Sequence, residues 1–533
     1  MNDFQLPPLT PDAVPKFVDG VTAKGWISSV PLANVAAAQQ AVLSQLEQFN
    51  RCVTRAASRL GGLEALRESV HFIQIEQAKR FTNRALPMAE AEAKVFAVTI
   101  SLWEQMRVGY LRCLNAVFAD EPGMRPEAAR ICQRALACTG LKMFHHYRAC
   151  KVVPPGEWQM LHALYTRAEA LKVTDGVVSD PLNRDVTEAS PRIAYVRAVL
   201  MGMASPNELS QRQLTFVAHL LERWAAKVAV LEQAAGEEQV PPLVADLSSD
   251  ACPARGSDVP KSPRFLDTRA LGATLRNRIG LLRKGEPPER LALGEACVQP
   301  MCEQLLVFLY HQWCRPPWTR GAERSPVSGV ALAGSDLEAI HFHISGKVFR
   351  QPGVATELSK REREELATFG RISTRDSDFG HARGFLLERW QLRDESASGL
   401  KIARQTGTEG KRHSSGTLIC VRREAAKQFL LGQMRWILES QKGDLLAGVR
   451  VLPGLPAAVA IRPSGLNVSN EKYLPALSLT KTENSPPALV LPAGWYKPKR
   501  VIEVYVESPV RARLLELLER GADYDCASYE LVI

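Results

Sequence analysis

The chain has 533 residues, 46% of them hydrophobic and 23% charged, which is ordinary globular chemistry and at this length predicts two to four domains. Its formal charge of +10 is spread along the chain without a dense basic tail, so it favours anionic partners only weakly and argues against a DNA-binding arm. Eleven scattered cysteines without a paired framework, an N-terminus (Met1-Asn-Asp-Phe-Gln-Leu-Pro-Pro) without a signal-peptide pattern, and no apolar run of spanning length together predict a cytoplasmic protein.

Residues 1–30 contain Pro and Gly and read as irregular. From Pro31 the pattern turns helical. Apolar residues recur at three- and four-residue spacing over Val35–Leu60, Leu63–Arg84, Met88–Phe118, Arg125–Ala149, Glu157–Leu171, Ile193–Met203 and Glu208–Gln233. The expected punctuation lies between them: Gly61-Gly62, Pro87, Pro122-Gly123, Pro154-Pro155-Gly156 and Ser205-Pro206. Residues 1–235 are thus expected to be an all-helical domain, a bundle or a solenoid. Residues 236–263, rich in Pro, Ser and acidic residues, read as a linker.

Residues 264–360 read as a second helical segment and connector, with helices over Thr268–Leu282 and Leu291–Trp313. A polar, Pro-rich break follows at Arg315–Ser328. The run Ile340-His-Phe-His-Ile-Ser-Gly-Lys-Val-Phe-Arg alternates like a strand, and Glu357–Thr368 reads as a charged helix or extended arm.

Residues 361–465 carry two short patterns and a series of strands. Arg371 and Arg375 form Arg-x-x-x-Arg, a spacing repeated at Arg80/Arg84, Arg130/Arg134, Arg320/Arg324 and Arg389/Arg393. Asp394, Ser396 and Gly399 form Asp-x-Ser-x-x-Gly, which occurs once. Gly416-Thr-Leu-Ile-Cys-Val reads as a strand. In Leu430-Leu-Gly-Gln-Met-Arg-Trp-Ile-Leu, Met434, Trp436 and Leu438 are expected on one face and Gln433, Arg435 and Ile437 on the other. A turn at Lys442-Gly443-Asp444 leads into Leu446-Ala-Gly-Val-Arg-Val-Leu. Residues 466–533 supply further strands, with Arg511–Leu518 ambiguous between helix and strand; they either extend the barrel or form a second small β unit.

From about Glu362 to Leu455 this region resembles the PilZ domain, a small β-barrel of bacterial signalling proteins. Added to the periodicity read above, the resemblance gives a multidomain α + β chain: a large all-α N-terminal region, then a PilZ-like antiparallel β-barrel and further C-terminal strands. It also implies a second-messenger receptor that binds cyclic di-GMP through Arg371, Arg375, Asp394, Ser396 and Gly399 and signals through its helices to a protein partner. The chemistry suits the residue types. Arginine's planar fork pairs with phosphodiesters or with guanine O6 and N7, and it stacks on a base. A carboxylate at Asp394 accepts from guanine N1–H and N2–H, Ser396 adds an adaptable hydroxyl, and Gly399 allows a tight turn or close backbone approach. The plainer alternative is a turn in which Asp394 and Ser396 bond locally and Gly399 takes positive φ.

Other constellations carry less. Cys297, Cys302, His311 and Cys314 match no zinc spacing and lie on an apolar helical stretch, so core packing is expected. His145-His146 and His341-x-His343 lack acidic or Cys partners and read as structural. Phosphate loops, dinucleotide fingerprints, nucleophile elbows and zinc-protease motifs are absent from the sequence, which predicts no catalytic residues, no metal and no cofactor beyond the nucleotide ligand. Two alternatives remain: a non-catalytic scaffold or chaperone-like interaction protein whose barrel binds no nucleotide, and a β-barrel nucleic-acid binder. The second is disfavoured because the barrel strands offer only Phe385, Trp390, Phe429 and Trp436 for base stacking.

Overall fold

The computed structural model describes residues 4, 6–234, 241–256, 260–294, 297, 301–315, 325–352, 384–396, 398–464 and 471–532. The fold is multidomain α + β, divided into two compact units: residues 1–84 with 88–319, and residues 85–87 with 320–533.

The first unit opens with α1 (Gly20–Ser29), α2 (Val35–Arg51), α3 (Ala56–Ala78), α4 (Glu90–Phe118) and α5 (Ala128–Arg148), followed by α6 (Glu157–Ala170), α7 (Pro191–Met203) and α8 (Gln211–Trp224). A short ladder of β1 (Val178–Ser179) and β2 (Glu188–Ala189) interrupts the helices. Gly61-Gly62, expected as a helix break, lies inside α3. The pair is needed there for close packing: a Cβ on Gly62 would stand 2.9 Å from the Phe49 ring, and one on Gly20 would stand 3.0 Å from the Gly61 carbonyl. The chain breaks instead at Cys52–Arg55, before α3.

The stretch expected as a linker, 236–263, contributes β4 (Leu243–Asp246) and β5 (Ala254–Arg255) to a sheet ordered β3-β6-β4-β5, with β3 at Ala229–Leu231 and β6 at Pro263–Asp267. Leu243 and Ala245 are buried, which ties this sheet to the helical core. The next helices, α9 (Arg269–Arg283) and α10 (Met301–Cys314), share that core rather than forming one of their own. Trp313 is fully buried in it and donates its indole N–H to the Leu200 carbonyl at 2.8 Å. Cys297 and Cys302 are buried in that core, as expected, and are joined as a disulfide. Among the described residues no helix is long and apolar enough to cross a membrane.

The second unit holds two closed six-stranded antiparallel barrels. The first has the order β10-β11-β12-β9-β8-β7, formed by β7 (Ser325–Ser335), β8 (Glu388–Ser396), β9 (Gly399–Arg404), β10 (Leu418–Arg423), β11 (Leu430–Glu439) and β12 (Leu445–Val451). Its opening strand, β7, comes from the polar break expected around 315–328. Small residues and Pro326 disguise it, and its pairing with β8 is irregular between Pro326 and Gly329.

The second barrel, ordered β13-β14-β15-β18-β17-β16, is formed by β13 (Pro456–Pro463), β14 (Leu474–Leu479), β15 (Ala488–Pro492), β16 (Val501–Tyr505), β17 (Pro509–Arg520) and β18 (Tyr524–Val532). The C-terminal strands therefore close on themselves and recruit β13, which was expected inside the first barrel. The ambiguous stretch at Arg511–Leu518 is strand.

Ile340–Ser345, expected as strand, belongs to α11 (Leu337–Ser345). Asp336 caps it by accepting from the Glu338 amide at 3.1 Å, and Gly346 ends it at φ +69°. Ile340 is buried in a cluster that joins Leu418, Cys420 and Leu431 of the first barrel to Leu477, Val490 and Tyr524 of the second. On β11 the expected alternation fails at Arg435, where a bulge lets Met434 and Ile437 both turn inward.

Candidate nucleotide-binding site

Asp394, Ser396 and Gly399 come together at one β-hairpin. β8 runs into β9 through a two-residue connection, with Ser396 opposite Gly399 and Asp394 opposite Lys401. Both ladders flanking Asp394 are irregular, between Leu392 and Asp394 on the β9 side and between Pro326 and Gly329 on the β7 side. Bulges of this kind re-aim side chains. Leu392 is buried and Asp394 is half-buried beside Lys401, whereas every other residue of β9 is buried. A carboxylate and an ammonium thus share the outer wall of the barrel. Further cationic side chains stand near by: Arg423, paired with Glu395, and Arg450, opposite Gly399 and paired with Glu519.

Ser396 Oγ donates to the Gly399 carbonyl at 3.3 Å, which keeps the hairpin turn closed. Gly399 does not take positive φ, so the plain-turn alternative fails on that point. Its missing side chain serves a close approach instead: a Cβ there would stand 3.1 Å from the Val449 carbonyl on β12. Gly399→Ala is expected to destabilise the barrel by about 1–3 kcal/mol through overpacking against backbone. Gly329→Ala, where an added Cβ meets nothing within 4 Å, is expected to stay within about 0.5 kcal/mol. Urea unfolding followed by a barrel signal checks both, and equal midpoints for the two variants would contradict the packing role.

Arg371 and Arg375 lie outside the described residues. One of the further pairs with the same spacing, Arg389 and Arg393, sits on the exposed side of β8, and Arg389 bonds Glu424 at 2.8 Å.

Sequence reasoning missed a buried polar cluster in the same barrel. Glu388 Oε2 accepts from Arg404 Nη1 at 2.5 Å and from the Trp390 indole at 3.0 Å, and lies 2.8 Å from His413 Nε2; Glu388 Oε1 accepts from the Lys411 amide at 2.6 Å. Arg404 also lies over the Trp390 ring, 5.3 Å from its centroid. Burial alone would raise the Glu388 carboxyl, but its bonds and charges with His413, the Lys411 amide and Arg404 hold it below the usual range. The signal available in the sequence was parity: Glu388 shares the face of Trp390 and Leu392, where a charge needs partners.

His341 is buried and His343 half-buried, and the loss of solvent pushes both imidazoles down, His343 to about 4. Among the described residues no group of three or more His, Cys, Asp or Glu side chains could hold a metal ion.

Two stretches of the chain match known family profiles. Residues 21–235 match "Cyclic-di-GMP receptor FimW, N-terminal domain", and residues 459–532 match "FimW C-terminal beta-barrel domain". A curated protein of Pseudomonas aeruginosa, "Cyclic-di-GMP receptor FimW", is 26% identical over 223 residues, which is 41% of this chain and 35% of that protein. Over these stretches the chain is similar to FimW. It aligns with about a third of the length of the curated FimW protein. The matched helical stretch covers α1–α8, and the matched β stretch covers most of the second barrel; the first barrel, with Asp394, lies between the two FimW-like stretches.

Proposed function

We propose that the chain is a non-catalytic receptor whose first barrel is PilZ-like and binds cyclic di-GMP, and whose helical unit passes the signal to a protein partner. The observation that carries this reading is the β8–β9 hairpin, which holds Asp394 beside Lys401 on the barrel wall with Ser396 and Gly399 at the turn. Similarity to a protein named as a cyclic-di-GMP receptor supports the choice of ligand. Asp394 accepts from a guanine edge, Lys401 offsets the phosphodiester charge, and Arg371 and Arg375 clamp the nucleotide from the preceding arm.

Chain length permits the clamp. Arg375 precedes Gly384 by 384 − 375 = 9 positions, an extended reach of about 30 Å before its side chain is counted. Asp394 follows Gly384 by 394 − 384 = 10 positions, ending on β8, a span of about 33 Å at most.

Calorimetric titration with cyclic di-GMP, with GTP as control, tests the proposal. Saturable binding of the cyclic dinucleotide alone is the expected result; no binding leaves a scaffold whose barrel takes no nucleotide. Arg371→Ala or Arg375→Ala is expected to weaken binding by roughly ten- to a hundred-fold, from the loss of one charge-assisted contact. Arg389→Ala is expected to change it little, because that side chain is already paired with Glu424. Equal losses from all three would show that the clamp is assigned to the wrong arginines.

A further inference from the structure

The helical unit contains a partly open pocket of about 240 Å³ lined by α3, α5, α7 and α8, with Trp103 of α4 and the loop around Asp180 completing its wall. Four nitrogen atoms of its lining residues have no hydrogen-bond partner among the described residues: Trp103 Nε1, His145 Nδ1, Arg148 Nε and Asn183 Nδ2. Trp103, His145 and Asn183 are 1%, 3% and 6% exposed, so bulk water reaches them poorly. Buried polar atoms of this kind are normally satisfied, and four around one cavity is a concentration that packing alone does not explain. Three of the four can only donate.

The acceptors at the wall are already engaged. Asp180 takes Arg67 in two parallel bonds at 2.6 and 2.9 Å and also Gln133 at 2.9 Å. The Asn183 oxygen accepts from Arg197 at 2.6 Å, and Glu222 accepts from the Arg184 amide at 3.0 Å. Four arginines line the cavity against these two carboxylates, and Arg148 forms no ion pair among the described residues; its guanidinium lies 5.8 Å from the Phe144 ring centroid. Burial holds His71 and His145 neutral near pH 7, so the surplus positive charge is arginine's.

Apolar and aromatic side chains, among them Trp103, Phe144, Leu141 and Met201, line the pocket together with the polar Gln74, Gln133, Thr215 and His219. A cavity of about 150 Å³ takes benzene, so this one has room for a single ring bearing a small acidic group.

We propose that this cavity is a second ligand site, separate from the barrel, for a small aromatic carboxylate: the ring lies against Trp103 and Phe144, and the carboxylate accepts from Arg148 and Asn183. Arginine and carboxylate match in geometry as well as charge.

The experiment is calorimetric titration of the full chain with benzoate and phenylacetate, with benzyl alcohol and inorganic phosphate as controls. Expected is saturable binding of at least one acid with a Kd below about 1 mM, and binding at least tenfold weaker for both controls. Arg148→Gln is expected to weaken the acid by roughly tenfold or more, and Ala137→Leu, which fills the cavity from α5, to abolish binding. Thermal unfolding confirms that each variant is folded; if one is not, the other decides. Any of four results overturns the proposal: no saturable heat with either acid up to about 10 mM, equal affinity for benzyl alcohol, binding unchanged in the folded variants, or competition between the acid and cyclic di-GMP.

Discussion

Asp180→Ala is expected to cost the helical unit about 3–5 kcal/mol, because it removes one partner of a buried ion pair and leaves the other uncompensated. Arg67 and Asp180 have side chains only 4% and 3% exposed. Asp180 also accepts from Gln133 Nε2 at 2.9 Å and from the Leu182 amide at 3.1 Å, so the loop after β1 loses its anchor together with the charge. Asp180→Asn keeps the shape and part of the hydrogen bonding, and should cost less than the alanine. The helical transition by circular dichroism in urea measures both; the two units are not assumed to unfold together. A midpoint unchanged in the alanine variant would show that the pair contributes nothing net.

The same residue predicts an acid response. Burial alone would raise its carboxyl, but hydrogen bonds and charge from Arg67, with Arg134 and Gln133, hold it well below the usual carboxylate range. A depressed folded-state value stabilises above the unfolded-state value of about 4 and is lost as pH falls below it. The wild-type helical unit should therefore lose stability below about pH 4 by an increment that Asp180→Ala lacks.

The helices were legible because their burial follows a 3.6-residue period that polar side chains confirm, as in α8, where Leu214, Val217, Leu220, Leu221 and Trp224 are buried. Errors arose where a residue's reason lay in another element. Gly61-Gly62 looks like a break until α1 and Phe49 are seen to require the space. The Ile340-His-Phe-His-Ile alternation suggests a strand, yet Asp336 and Gly346 bound a nine-residue helix there. β7 was illegible because barrel closure, not local pattern, makes Ser325–Ser335 extended: it pairs with β8 on one side and β10 on the other.

Of the candidate site, Asp394, Ser396 and Gly399 could be read from spacing because they share one hairpin. The bulge that turns Asp394 toward Lys401 could not, since it depends on register with two neighbours. The charge cluster around Glu388 was hidden more deeply, its members 16 and 25 positions away at Arg404 and His413.

That cluster yields the last expectation. Glu388 and Arg389 are neighbours on β8 facing opposite ways, and each makes an ion pair, so one strand compares a buried pair with an exposed one. Glu388 and Arg404 have side chains 3% and 4% exposed, whereas Arg389 and Glu424 are 61% and 49% exposed. Glu388→Ala strands a buried guanidinium, the Trp390 indole and the Lys411 amide at once, and is expected to cost the first barrel about 3–5 kcal/mol. Glu424→Ala removes a solvated pair and should cost less than about 1 kcal/mol. Glu388→Gln is intermediate: it retains an acceptor but gives up the charge that Arg404 needs. Amide exchange at β8 and β9 resolves the comparison locally, without requiring the whole chain to unfold in one step. Glu388→Ala should speed exchange on both strands by at least a hundred-fold, from the same loss of stability, while Glu424→Ala leaves them near wild type. Equal protection in the two alanine variants would mean that the buried cluster does not hold the barrel wall on which Asp394 is displayed.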